Sequence, residues 1–138
     1  MSYQKLSEIL VKTIEPLSPK ILKQISTCEI INPSKFPYAT VIEDDTADDE
    51  TVFDTISNLA NYKFKIRLVD SMNGTKTMES VSKNMRKIVD EVLTKIRENQ
   101  YWECQAQRVN LSVRWGWNTE EKLRIAEIGV EFLVLVEI

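Results

Sequence analysis

The sequence predicts an α+β domain, an antiparallel sheet with helices on one face, and three observations carry that prediction. Two stretches hold apolar residues at three-and-four spacing, as a helix with one buried side requires. Three others alternate apolar and polar residues with period two, as half-covered strands do. At 138 residues, 43% hydrophobic and 28% charged, the chain has the size and balance of one soluble domain with its own core. The expected order over residues 1–138 is α-β-β-α-β-β.

The first helix is read from Leu6, Ile9, Leu10, Ile14 and Leu17, with Ser2 as its cap. Pro16 and Pro19 interrupt it, and a short second helix carrying Ile21, Leu22 and Ile25 is expected to follow. Asn32-Pro33-Ser34-Lys35-Phe36-Pro37 is turn chemistry leading into a strand at 38–42. Residues 43–50 carry six carboxylates in eight positions, too much charge to pack, and read as an exposed loop or hairpin tip. Residues 51–56 are strand-like and 58–61 a turn or bulge. Tyr62, Phe64, Ile66 and Leu68 then alternate with Lys63, Lys65 and Arg67, a strand that Asn73-Gly74 ends.

The strongest helix spans 77–99. Met78, Val81, Met85, Ile88, Val89, Val92 and Ile96 make its apolar stripe, Thr77 its cap, and Glu79 a first-turn acid suited to the helix dipole. Glu91 and Lys95 are spaced to pair. Two alternating strands close the chain, Val109 to Trp117 and Ile128 to Ile138, joined by the polar stretch 118–122.

Helices on one side leave the other sheet face to Lys63, Lys65 and Arg67, to Asn110, Ser112 and Arg114, and to Glu127, Glu131 and Glu137. Charges alone make that face solvated, with opposite charges paired across strands. Leu133 and Leu135 fall on it too, so the final strand is apolar on both sides. That pattern calls for a second covering surface, supplied either by the N-terminal segment or by another subunit.

Composition removes whole classes of chemistry. There is no histidine, so Ser-His-Asp triads, Cys-His dyads and HExxH zinc sites are absent. Three glycines, Gly74, Gly116 and Gly129, form neither GxGxxG nor GxxxxGK. The acidic run Glu43, Asp44, Asp45, Asp48, Asp49, Glu50 lacks the glycine and spacing of a calcium loop and reads as solvated acid; a metal-dependent hydrolase built on it is the least favoured function. Cys28 and Cys104 read as reduced, mostly buried thiols, and Cys104 has no histidine base to activate it. Alternation sets Trp115 and Trp117 opposite Arg114, and the net charge is 18 − 21 = −3, so these tryptophans read as core rather than as a nucleic-acid stacking platform. No metal, cofactor or catalytic residue is expected. The N-terminus lacks a basic leader with an apolar run, so cytosolic assembly is expected.

The stretch FPYATVIEDDTADDETVFDTISNLANYKFKIRLVDS, then MESVSKNMRKIVDEVLTKIREN, then RVNLSVRWGWN and RIAEIGVEFLVLVEI, resembles the tail terminator (tail completion) proteins of long-tailed bacteriophages. The likeness lies in size, element order, the proline-introduced first strand, a long polar hairpin loop, the strand at 62–66 and the terminal apolar hairpin. It implies a non-enzymatic virion protein of the tail or neck, assembling as a hexameric ring. Such a ring caps the tail tube, meets the tube and head–tail connector proteins, and passes DNA through its lumen without specific binding. The resemblance makes Asp44, Asp45, Asp48 and Asp49, with Lys63, Lys65, Arg67, Leu133 and Leu135, candidates for subunit or tube contacts. A small cellular protein-binding adaptor is the alternative.

Overall fold

The computed structural model describes residues 3–28, 35–44, 53–54, 59–72, 76–99 and 106–135. Among them helix α1 (Tyr3–Ile14) runs into a single 3-10 turn at Glu15–Leu17, where Pro16 stops the helix. Strands β1 (Gln24–Ser26), β2 (Tyr38–Glu43), β3 (Phe53–Asp54) and β4 (Leu59–Ser71) follow. Helix α2 (Met78–Glu98) and the long hairpin β5 (Ala106–Asn118) and β6 (Leu123–Leu135) complete the domain.

One sheet holds all six strands, in the order β1-β2-β4-β6-β5, with β3 pairing the start of β4. It is mixed, because β1 runs parallel to β2 while the other pairs are antiparallel. The helix expected around Ile21, Leu22 and Ile25 is therefore a turn followed by a strand. Three apolar residues after a proline are too few to nucleate a helix, and Ile25 takes Ala39 as its neighbour across the sheet. The turn expected at 58–61 is also overridden. Leu59 to Asn61 open β4 because Leu133 to Leu135 of β6 lie opposite them. Likewise β6 begins at Leu123, five residues ahead of the Ile128 at which alternation first becomes clean, drawn into pairing by β4 on one side and β5 on the other.

Both helices cover one face. Leu6, Leu10 and Ile14 of α1 and Val81, Met85, Ile88, Val89, Val92 and Ile96 of α2 meet Tyr62, Phe64, Ile66, Ile128, Val130 and Phe132 in a single core. Tyr3 anchors the start of α1 by standing edge-on to Tyr62, ring centroids 4.8 Å apart. Thr77 caps α2 as its position predicts, within a full capping box: the Ser80 N–H donates to Thr77 Oγ1 and the Thr77 N–H to Ser80 Oγ, each at 3.1 Å. Met78, expected in the stripe, is 56% exposed, and the buried stripe begins at Val81. Lys95 turns to Glu98 at 4.0 Å rather than to Glu91.

Candidate functional site

The sheet face away from the helices holds most of the candidate residues, and register fixes who meets whom. Lys63 lies opposite Glu131 and then Asn110; Lys65 opposite Gly129 and then Ser112; Arg67 opposite Glu127 and then Arg114. The expected alternation of opposite charges across strands is present at the first and third of these rows.

This face is not the uniformly solvated surface that its charges suggest. Over β2 and β4 it is buried: Tyr38, Thr40, Val69 and Ser71 have little exposure, and Lys65 only 7%. The reason is legible in β2 and the end of β4, where Tyr38, Ile42 and Val69 face one side while Ala39, Val41 and Leu68 face the other. Strands apolar on both sides are covered on both sides. Leu133 is half-buried beside Asn61 and Arg108. The side chain of Leu135, and all of Asp45, Asp48, Asp49 and Glu137, lie outside the described residues.

Glu127 organises the middle of the face. Its carboxylate accepts from Arg67 Nε at 3.0 Å, and Lys65 Nζ stands 3.5 Å away. Lys65 and Arg67 are thus engaged inside their own subunit. Asp44, partly buried at the end of β2, donates its backbone N–H to the Lys63 carbonyl at 3.1 Å, so the acidic run starts directly beside the Lys63 row. Gly129 leaves a shallow polar depression between Lys63, Asn110 and Ser112; a Cβ there would stand 2.5 Å from Ser112 Oγ. Over β5 the same face is open, with Arg108, Asn110, Ser112 and Arg114 all exposed.

On the helix side, at the end of the sheet where α2 begins, sits a cluster that reading by alternation missed. Asp70 is 1% exposed, and its carboxylate accepts from Asn84 Nδ2 at 3.2 Å and the Ser71 N–H at 2.8 Å, with Lys76 Nζ at 3.5 Å. It ties the end of β4 to the start of α2. Beside it Arg124 lies over Trp117 at 4.7 Å and Trp115 at 5.3 Å, and donates Nη1 to the Gly116 carbonyl at 3.2 Å. Burial, with a smaller effect from nearby Arg86, lowers the Arg124 pKa. The expectation that Trp115 and Trp117 are core is corrected here: Trp115 is 43% exposed and Trp117 half-buried, because the helices pack chiefly on β2, β4 and β6 and an arginine takes the place of a packing partner. The missed signal was Arg124 itself, at a position whose sheet neighbours, Asp70 and Trp117, face the helices.

Cys28 is exposed, its sulfur 3.4 Å from Ser26 Oγ, which corrects the expectation of a buried thiol; Cys104 lies outside the described residues. Among the described residues no helix is long and apolar enough to cross a membrane. A scan against protein-family models and a search of curated proteins each returned no match.

Proposed function

We propose that this chain is the structural subunit of a ring, a tail terminator of a long-tailed bacteriophage that caps the finished tail tube and contributes to the head–tail joint. The observation that best supports the reading is a sheet whose two edges are unlike and, among the described residues, unpaired. One edge is β5, thirteen residues long, with Arg108 and Arg114 exposed and without an ion-pair partner among the described residues. At the other, β1 covers β2 only from Tyr38 to Thr40, and β2 runs on uncovered by β1 to the exposed Glu43 and to Asp44.

Edges of opposite charge suit a head-to-tail contact, the kind that closes into a ring. The pairing chain from β2 through β4 and β6 to β5 makes β5 antiparallel to β2, so the two edges of neighbouring copies would meet in antiparallel sense. Half-buried Leu133 adds apolar surface for a partner copy. On this reading the acidic run serves one side of the contact, or the contact with the tube, and the exposed Arg108 and Arg114 of β5 serve the other. The major tail tube protein and the head–tail connectors are its partners, in the virion tail or neck. DNA crosses the lumen unbound, since phosphate binding needs basic groups that an acidic lining lacks.

Charge reversal tests it. Changing Asp44, Asp45, Asp48 and Asp49 together to lysine is expected to weaken ring formation or tail capping. Normal assembly and infectivity of that variant would remove the acidic run from the contact.

A further inference from the structure

The helix layer stops short of the sheet. α1 lies over β2, and α2 over β4 and β6, so the helices pack only slightly on β5. As a result Val109, Leu111 and Val113 touch the core from one side only and stay half-exposed, and Trp115 continues the same row. Between this row and α2 runs a groove. A shallow depression of about 350 Å³ at one end of it is lined by Ile96 and Arg97 of α2 and by Val109, Asn110 and Leu111 of β5.

The groove has a definite size and sign. From Val109 to Trp115 the strand advances roughly 20 Å, the length of about 13 helical residues. Arg86 and Arg97 are eleven positions apart on α2, which puts them on the same side of that helix, roughly 16 Å from each other. Arg97 lines the depression at the Val109 end, and Arg86 stands near Arg124 at the Trp115 end. One acid, Asp90, lies on that flank between the two arginines. The floor is therefore apolar and the rim net basic. Two copies placing these grooves face to face would set arginines against arginines, which argues against a second copy as the occupant.

We propose that this groove is a docking site for an amphipathic helix of another protein, apolar on one face and acidic along its flanks, which completes the helix layer over β5. Such a helix would lay leucine-sized side chains at three-and-four spacing on Val109, Leu111, Val113 and Trp115, with glutamates toward Arg86, Arg97 and Arg124. The groove lies on the helix side of the sheet, so the docked helix would compete with a second copy whose β2, with α1 over it, met the outer edge of β5.

The test uses the full chain and three synthetic 14-residue helical peptides: leucine-faced with glutamate flanks, the same peptide with lysine flanks, and a scrambled acidic control. Tryptophan fluorescence reads the titration, since exposed Trp115 belongs to the apolar row of β5. The acidic peptide is expected to bind saturably and at least about tenfold more tightly than either other, with binding that weakens as salt rises. Combining Arg86→Glu with Arg97→Glu should invert the preference toward the lysine peptide, while Lys87→Glu should leave it unchanged. Leu111→Glu should abolish binding, and the two arginine changes, both at exposed positions, keep the test valid if that variant fails to fold. Equal binding of all three peptides, no saturation up to about 1 mM, or an unaltered preference after charge reversal would overturn the proposal. So would self-association of the unliganded protein that Arg86→Glu and Arg97→Glu abolish, because a second copy would then own the groove.

Discussion

Glu127 and Tyr3 each join elements far apart in sequence through a partly buried polar group, and each gives a distinct experimental signature. Truncating Glu127 to alanine strips Lys65 and Arg67 of a shared carboxylate and should cost roughly 2 kcal/mol in urea unfolding. Lys65→Met keeps the Arg67 contact and should cost much less. For Tyr3, burial raises the phenol pKa above its usual 10.0, partly offset by a backbone hydrogen bond with Lys63. The folded state therefore favours the neutral phenol. Its contribution is complete below pH 10 and is lost as pH rises through the folded-state value. Tyr3→Phe should accordingly flatten the alkaline fall in stability, measured by thermal melts between neutral pH and pH 11. Alternation revealed Lys63, Lys65 and Arg67 and the acids across from the first and last, but it could not reveal that Lys65 is buried. That depends on β2, whose two-sided apolar pattern is too short to stand out before its neighbours are known.

At the level of elements, α2 was the most legible part of the chain. Its stripe, its Thr77 cap and its length all follow from spacing, because a long amphipathic helix is specified locally. Thr77→Ala should lower stability by about 1 kcal/mol through loss of the capping box. Met85→Ala, at a fully buried position, should lower it by roughly 2–5 kcal/mol. The sheet was legible in its long strands and not at its ends. β1, the first residues of β4 and the first residues of β6 are strands only because a partner lies beside them, and no window of sequence contains that partner. The turn between β5 and β6 carries one strained residue, Lys122 at φ 57°. Lys122→Gly is expected to raise stability by about 0.5 kcal/mol, since glycine takes the left-handed conformation without the steric cost.

For the whole molecule, the core closes on one face of the sheet, while β5 and part of the strand beside it remain under-covered. Leu133 is half-buried, Trp115 is exposed, and the β5 edge carries cations that find no acid within the described chain. On the ring reading such surface lies against other molecules, its edges against like copies and the tube. The most direct measurement is solution mass by light scattering, at matched concentrations, with and without purified tail tubes. The account predicts a species near six times 16.0 kDa, either free or appearing only at tube ends. A particle that stays at the mass of one chain in both conditions, leaving tube ends bare, would contradict it.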